Sequence, residues 1–262
     1  MANDYIVKPV YKALQVLLCL GEERREMALS EVCHRVGMPK TTTYRYLQTL
    51  TACGFVTHDP NTDLYRLGLR IWALGQMARE PLQLRELALP AMRELRDHFN
   101  ETVNLAVLDG REIVYLDMVE SRRSLRMQAQ LGGRDPVHTT ALGKAMLAFL
   151  PEERWSEHLP ARLTPRTNAS YGSIGALRDE LRRTRERGYG IDAGENEEGA
   201  YCIGAPIFNQ DGHVLAAVSL SAPATRMSER NLPKAAQSVI ETAAAISQHL
   251  GYTRPANSEQ NR

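Results

Sequence analysis

Little in the 262-residue chain points to covalent or metal chemistry. Its four cysteines, Cys19, Cys33, Cys53 and Cys202, lie far apart with no CxxC pair. Three of them sit among apolar residues of the N-terminal segments, which predicts reduced, buried thiols in a cytoplasm. The seven histidines form no HxxxH or HExxH spacing, so a metal site would need ligands from distant segments. A hydrolase elbow of the form G-x-S-x-G is absent. Gly143-Lys144 is followed by Ala145 and lacks the earlier glycine of a phosphate loop. A Cys202 nucleophile with a remote histidine is conceivable, but nothing marks an activated thiolate. No stretch approaches the ~20 apolar residues that span a bilayer, and MANDYIVKP lacks the basic start and apolar core of a signal peptide. The expectation is a cytoplasmic non-enzyme with no cofactor, no metal and no membrane partner. Net charge is only +1, so any nucleic-acid footprint must be local.

One local absence is the most informative. From Val32 to His58 there is no Asp or Glu, whereas Arg35, Lys40 and Arg45 are present. The same stretch carries Leu29, Val32 and Val36 at helical spacing, then Gly37, then Pro39 at a position suited to a first helical turn. Helix, break and restart make a helix-turn-helix. The second helix is expected to turn Tyr44, Leu47 and Leu50 inward and Thr42, Arg45, Tyr46 and Thr49 outward. Thr41, Thr42 and Thr43 are poor helix formers. They suit a capping cluster or, with the local positive charge, hydroxyls meeting phosphates and base edges. The DNA-contact candidates are Thr42 and Arg45 for bases and Lys40, Thr41 and Thr43 for phosphates or first-turn contacts, with Tyr46 and Thr49 on the same face. Two β-prone runs, Phe55 to His58 and Leu64 to Leu67, flank a turn at residues 59–63 and predict a wing.

With 43% hydrophobic and 24% charged residues, the chain is long enough for two globular domains. Leu67 to Glu80 reads as a linker helix stopped by Pro81. A further helix follows from about Leu82 to Phe99, kinked or broken at Pro90. VNLAVLDGREIVYLDMV predicts a hairpin at Asp109-Gly110, with SLRMQAQLG as a third strand. Helices are expected at Thr140 to Phe149, Ile174 to Arg187 and Glu229 to Leu250, and strands at Tyr201 to Phe208 and His213 to Leu220. The fold class is α+β. Residues 1–68 form a winged helix-turn-helix, 69–80 a linker helix, 81–253 an antiparallel sheet flanked by helices, and 254–262 a frayed polar tail.

GYGIDAGENEEGAYCIGAPIFN, at residues 188–209, resembles the signature of the IclR family of bacterial transcriptional regulators, with Gly188, Asp192, Glu195, Cys202, Ile203, Gly204, Ile207, Phe208 and Asn209 at its spacings. The resemblance extends over nearly the whole chain, including HTTALGKAMLAFLP and the terminal LGY. It implies a GAF-like C-terminal domain that binds a metabolite and sets operator affinity. Free N–H groups at Thr140, Ala141 and their neighbours, at a helix start, suit a carboxylate. The plainer alternative is a Thr139 cap satisfied by water. Asp192 and Cys202 match positions that line the pocket in relatives; Ser219 and Ser221 share one strand face. Met127 is a weaker candidate, and Glu195, Glu197 and Glu198 read as a solvated acidic loop. The resulting expectation is a homodimeric or homotetrameric regulator, repressing a catabolic operon, with double-stranded operator DNA and a small carboxylic-acid effector such as a sugar acid as partners. A competing reading makes the C-terminal domain an enzyme or metabolite-binding protein with only nonspecific DNA affinity.

Overall fold

A computed structural model describes residues 5–23, 25–77, 79–227 and 230–253; the terminal tail expected to fray lies outside them from residue 254. The chain divides into two compact units, Met1–Arg79 and Glu80–Arg262.

In the first unit, α1 (Lys8–Glu23), β1 (Met27–Ala28), α2 (Leu29–Val36), α3 (Lys40–Ala52), β2 (Val56–Asp59), β3 (Leu64–Leu67) and α4 (Leu69–Met77) follow in order. Val16 and Leu20 of α1, Val32 of α2, Leu47 and Leu50 of α3, and Met27, Val56 and Tyr65 of the small sheet share one core. Gly37 ends α2 at φ +62°, a left-handed conformation that glycine adopts without a Cβ clash, so the chain can reverse into α3. Pro39 stands just outside α3 as its N-cap rather than within it, and its carbonyl accepts the N–H groups of Thr42 and Thr43. The wing forms as expected, β2 pairing β3 with Val56 opposite Leu67 and Asp59 opposite Leu64. Asp59 Oδ1 accepts the Asn61 N–H at 2.9 Å and tightens its turn. A third strand, β1, adds to β3; two residues are too short to leave a periodic trace.

Two expectations for α3 fail. Thr43 is fully buried and Tyr44 is 47% exposed. The inward stripe is Thr43, Leu47 and Leu50, spaced by four and three residues, and this rotates Tyr44 outward. Thr43 Oγ1 donates to the Pro39 carbonyl at 3.2 Å, so its hydroxyl serves the turn and is withdrawn from the outward face of the helix. Cys53, at the C-cap of α3, is exposed rather than buried.

From the boundary onward, α5 (Arg79–Phe99) runs unbroken through Pro81 and Pro90. Pro90 is solvent-exposed, where the carbonyl it leaves without a donor can be hydrated, so the expected break does not occur. One antiparallel sheet follows in the order β6-β5-β4-β9-β8-β7, from β4 (Thr102–Asp109), β5 (Glu112–Val119), β6 (Arg134–Pro136), β7 (Gly190–Asp192), β8 (Ala200–Phe208) and β9 (Val214–Pro223). Between β6 and β7 lie α6 (Ala141–Ala148), the short α7 (Trp155–His158) and α8 (Ile174–Arg187); α9 (Leu232–His249) closes the unit. Alternation divides the sheet between two cores. Val103, Leu105, Ile203, Ala205, Ile207, Val218 and Leu220 pack on α5 and α9, while Ala106, Ile113 and Ala217 pack on α6, Trp155 and α8.

The β4–β5 turn is displaced by one residue from the expected dipeptide: Asp109 pairs with Glu112, leaving Gly110-Arg111 as the loop, with Gly110 at φ +61°. The predicted strand SLRMQAQLG is irregular. The edge of β5 beside it is already taken, since Gly132 N–H donates to the Tyr115 carbonyl at 2.8 Å and Tyr115 N–H to that of Gly133 at 3.1 Å. The Met127 carbonyl turns instead to Thr102 Oγ1 at 2.7 Å. The third strand is β6, five residues after Ala129.

Candidate functional site

The first candidate surface is the outward face of α3. Lys40, Thr41, Tyr44, Arg45 and Thr49 are exposed, and Thr42 and Tyr46 half-buried. Tyr46 packs partly on the core. Thr49 Oγ1 donates to the Arg45 carbonyl at 2.8 Å, leaving lone pairs free to accept. Among the described residues the Lys40 and Arg45 side chains carry no ion pair, so both cations are uncommitted. Tyr44 is the residue sequence reasoning missed; an aromatic at an apparently apolar position concealed it.

The second is a cavity between the sheet and α6. Cys202 registers opposite Ser221, Asn104 opposite Ser219 and Asp192 opposite Cys202, so alternation aims all five side chains at one face. Two glycines let α6 close on that face: a Cβ on Gly204 would meet the Ala141 backbone at 2.8 Å, and one on Gly190 would meet the Ala141 carbonyl oxygen at 2.5 Å. The cavity takes in about 530 Å³ of space, part of it open to solvent. All seven residues expected at a ligand site, Met127, Thr140, Ala141, Asp192, Cys202, Ser219 and Ser221, line it. Met127 does so from the irregular segment, not from a strand.

Thr140, rather than Thr139, caps α6. Its Oγ1 accepts the Gly143 N–H at 3.0 Å, and the first-turn N–H groups of Ala141 and Leu142 lie at the cavity wall. Asp192 Oδ1 accepts the N–H groups of Glu195 at 2.7 Å and Asn196 at 3.2 Å, while burial pushes its carboxyl above the usual range. Burial, then the nearby Asp192 charge, pushes the Cys202 thiol up, which favours the thiol over the thiolate. Tyr115 O–H donates to Asp135 Oδ2 at 3.0 Å, and Arg166 Nη1 reaches Asp135 Oδ1 at 2.6 Å. Asn104 Nδ2 donates to Ser221 Oγ at 3.1 Å. Asn104, Tyr115 and Asp135 carried no motif in the sequence and join the site only through strand pairing. Glu195, expected in a solvated loop, is buried against Lys144, whereas Glu197 is exposed and lines the cavity. No Lys or Arg side chain lines it among the described residues, so the positive end of the cavity is the start of α6 itself.

Comparison with known proteins finds a match for each of the two units. Residues 9–60 match the IclR helix-turn-helix domain, and residues 76–248 match the bacterial transcriptional regulator IclR C-terminal domain. The chain is 38% identical over 247 residues to the HTH-type transcriptional regulator KdgR of Dickeya chrysanthemi, covering 94% of this chain and 81% of that one. The crystal structure of the Thermotoga maritima IclR is similar with a TM-score of 0.77 at 31% identity, over 94% of this chain and 100% of that one. An IclR homolog from Microbacterium hydrocarbonoxydans complexed with 4-hydroxybenzoate gives 0.80 at 27%, over 92% and 98%. With the N-terminal winged helix and the helix-flanked sheet each matched over most of its length, the chain belongs to the IclR family of bacterial transcriptional regulators.

Proposed function

We propose that this protein is an effector-responsive repressor of a catabolic operon, working in the cytoplasm, with residues 1–68 binding DNA, 69–80 linking and 81–253 binding the effector. The cavity at the start of α6 carries the reading. Its N–H groups at Ala141 and Leu142 suit a carboxylate. Asp192, Ser219, Ser221 and Cys202 accept or exchange hydrogen bonds with hydroxyl groups on the rest of the molecule. A small hydroxylated carboxylic acid, such as a sugar acid, meets both requirements. The Microbacterium relative, complexed with 4-hydroxybenzoate, holds an acid that also bears a hydroxyl.

At the DNA, Arg45 and Thr42 read base edges, Lys40 and Thr41 hold phosphates, and Tyr46 and Thr49 flank them; Tyr44 replaces Thr43 in this set. Two copies act together. Support comes from apolar side chains left in water: Val10, Tyr11, Leu14 and Leu18 on α1, and Leu69, Trp72, Leu74 and Met77 on α4. A dimer places its two α3 helices in major-groove half-sites ~34 Å apart.

Fluorescence anisotropy against the gene's own upstream DNA and a scrambled duplex, at two salt concentrations and with hydroxy acids added, tests the reading. Binding to the upstream DNA roughly a thousandfold tighter, and altered by one class of acid, is expected. Equal, steeply salt-dependent binding to both duplexes overturns it.

A further inference from the structure

Lys144 lies on α6, one turn beyond the residues that face the cavity, and its side chain is 0% exposed. A lysine this deep demands a partner. Its Nζ meets Glu195 Oε1, and Glu195 is itself 7% exposed. The Lys144 ammonium also stands 5.3 Å above the ring of Tyr171. The second Glu195 oxygen, Oε2, is buried with no hydrogen-bond partner among the described residues. A buried pair satisfied on one side only is a poor source of stability, because desolvating both charges offsets much of their attraction.

Its position is more informative. Glu195 belongs to the turn after β7, whose Asp192, Asn196 and Glu197 form one cavity wall, while α6 brings Thr140, Ala141 and Leu142 to the other. The same turn is tied by Asp192 Oδ1 to the N–H groups of Glu195 and Asn196, and by Thr139 Oγ1 to Asn196 Oδ1 at 2.8 Å. Ser170 Oγ donates to the Glu195 carbonyl at 2.6 Å. Among the described residues, only the Lys144 to Glu195 contact joins the two walls as an ion pair. We propose that Lys144 and Glu195 are positioning residues for the effector cavity, a buried ionic link that holds the Asp192 to Glu197 turn at a set distance from the start of α6 and so keeps Asp192 aimed at the bound acid. The link acts through Asp192 and touches no ligand. Other titratable groups facing it are Asp192 on β7, Glu180 on α8, Tyr171 on the connection before α8 and His138 before α6. Burial, partly opposed by Lys144, pushes the Glu195 carboxyl up to about 7, so the link also weakens as the protein is acidified through neutrality.

The proposal rests on the cavity being the effector site, but its test separates the two. Amide hydrogen exchange at residues 193–198 is measured on the ligand-free full chain for the parent, Lys144→Met, Glu195→Gln and the double variant, alongside thermal midpoints. Binding of sodium D-gluconate, the probe acid, is measured in parallel. The Glu195 and Asn196 amides should exchange roughly tenfold faster or more in all three variants, including the double variant, whose midpoint recovers toward the parent because no lone buried charge remains. Slow, parent-like exchange in the double variant, or unchanged exchange in the singles, overturns the positioning role. Failure of gluconate to bind any form, with exchange accelerated as stated, counts against the effector class alone.

Discussion

At the residue scale, α3 shows how one turn of helix separates exposed positions from buried ones. Thr41, Thr42 and Thr43 are chemically identical and adjacent, yet Thr43 is buried with its hydroxyl on the Pro39 carbonyl while Thr41 faces solvent. Arg45→Ala should therefore weaken binding to operator DNA by roughly 1–3 kcal/mol while leaving random-duplex affinity little changed; anisotropy on both duplexes checks this. Thr43→Ala should instead lower stability by about 1 kcal/mol through its lost hydrogen bond, with DNA specificity intact in the folded fraction, as read by urea unfolding. Glu195 gives a pH signature. A carboxyl whose folded pKa, about 7, lies above its ordinary value of 4.5 holds its proton more tightly when folded. Its contribution is fully present below pH 4.5 and is lost as pH rises through 7. Unfolding free energies measured from pH 4.5 to 8 should fall more steeply for the parent than for Glu195→Gln, the two curves running parallel above that window.

At the scale of elements, strong periodicity made the helices legible and pairing made the strands ambiguous. Ile174 to Arg187 forms a helix with the bounds its pattern indicated, capped by Ser173 and ended by Gly188. SLRMQAQLG looked like a strand because Leu125, Met127 and Ala129 alternate, but alternation says nothing about whether a partner edge is free, and β5 had already given that edge to the Gly132-Gly133 turn. β7 went unseen because three residues cannot show a period. Conversely, the packing of α6 on β8 depends on a residue whose role is invisible locally. Gly204→Ala places a Cβ at 2.8 Å from the Ala141 backbone. It should cost roughly 1–3 kcal/mol and displace the first turn of α6, so chemical denaturation and acid binding should weaken together. Thr140→Ala removes the cap and should cost about 1 kcal/mol, most of it restored by Thr140→Ser.

At the scale of the molecule, the apolar faces left exposed on α1 and α4 are where the proposed dimer is tested. Replacing Trp72, 67% exposed, by Asp should shift sedimentation toward the monomer without unfolding the winged helix, and should flatten the dependence of operator affinity on half-site spacing. By itself the sequence determined the longer helices from α2 onward, the helix-turn-helix with its wing, the antiparallel α+β class, and the family through residues 188–209, because these depend on local periodicity, turn chemistry and spacing along the chain. Only the tertiary structure decided that Asn104, Tyr115 and Asp135 join Asp192, Cys202 and the two serines around one cavity, that Glu195 is buried on Lys144, and that Tyr44 rather than Thr43 faces outward. Those outcomes turn on strand register, on the rotation of a helix about its axis and on which edge pairs first, and each is set by contacts between residues distant in the chain.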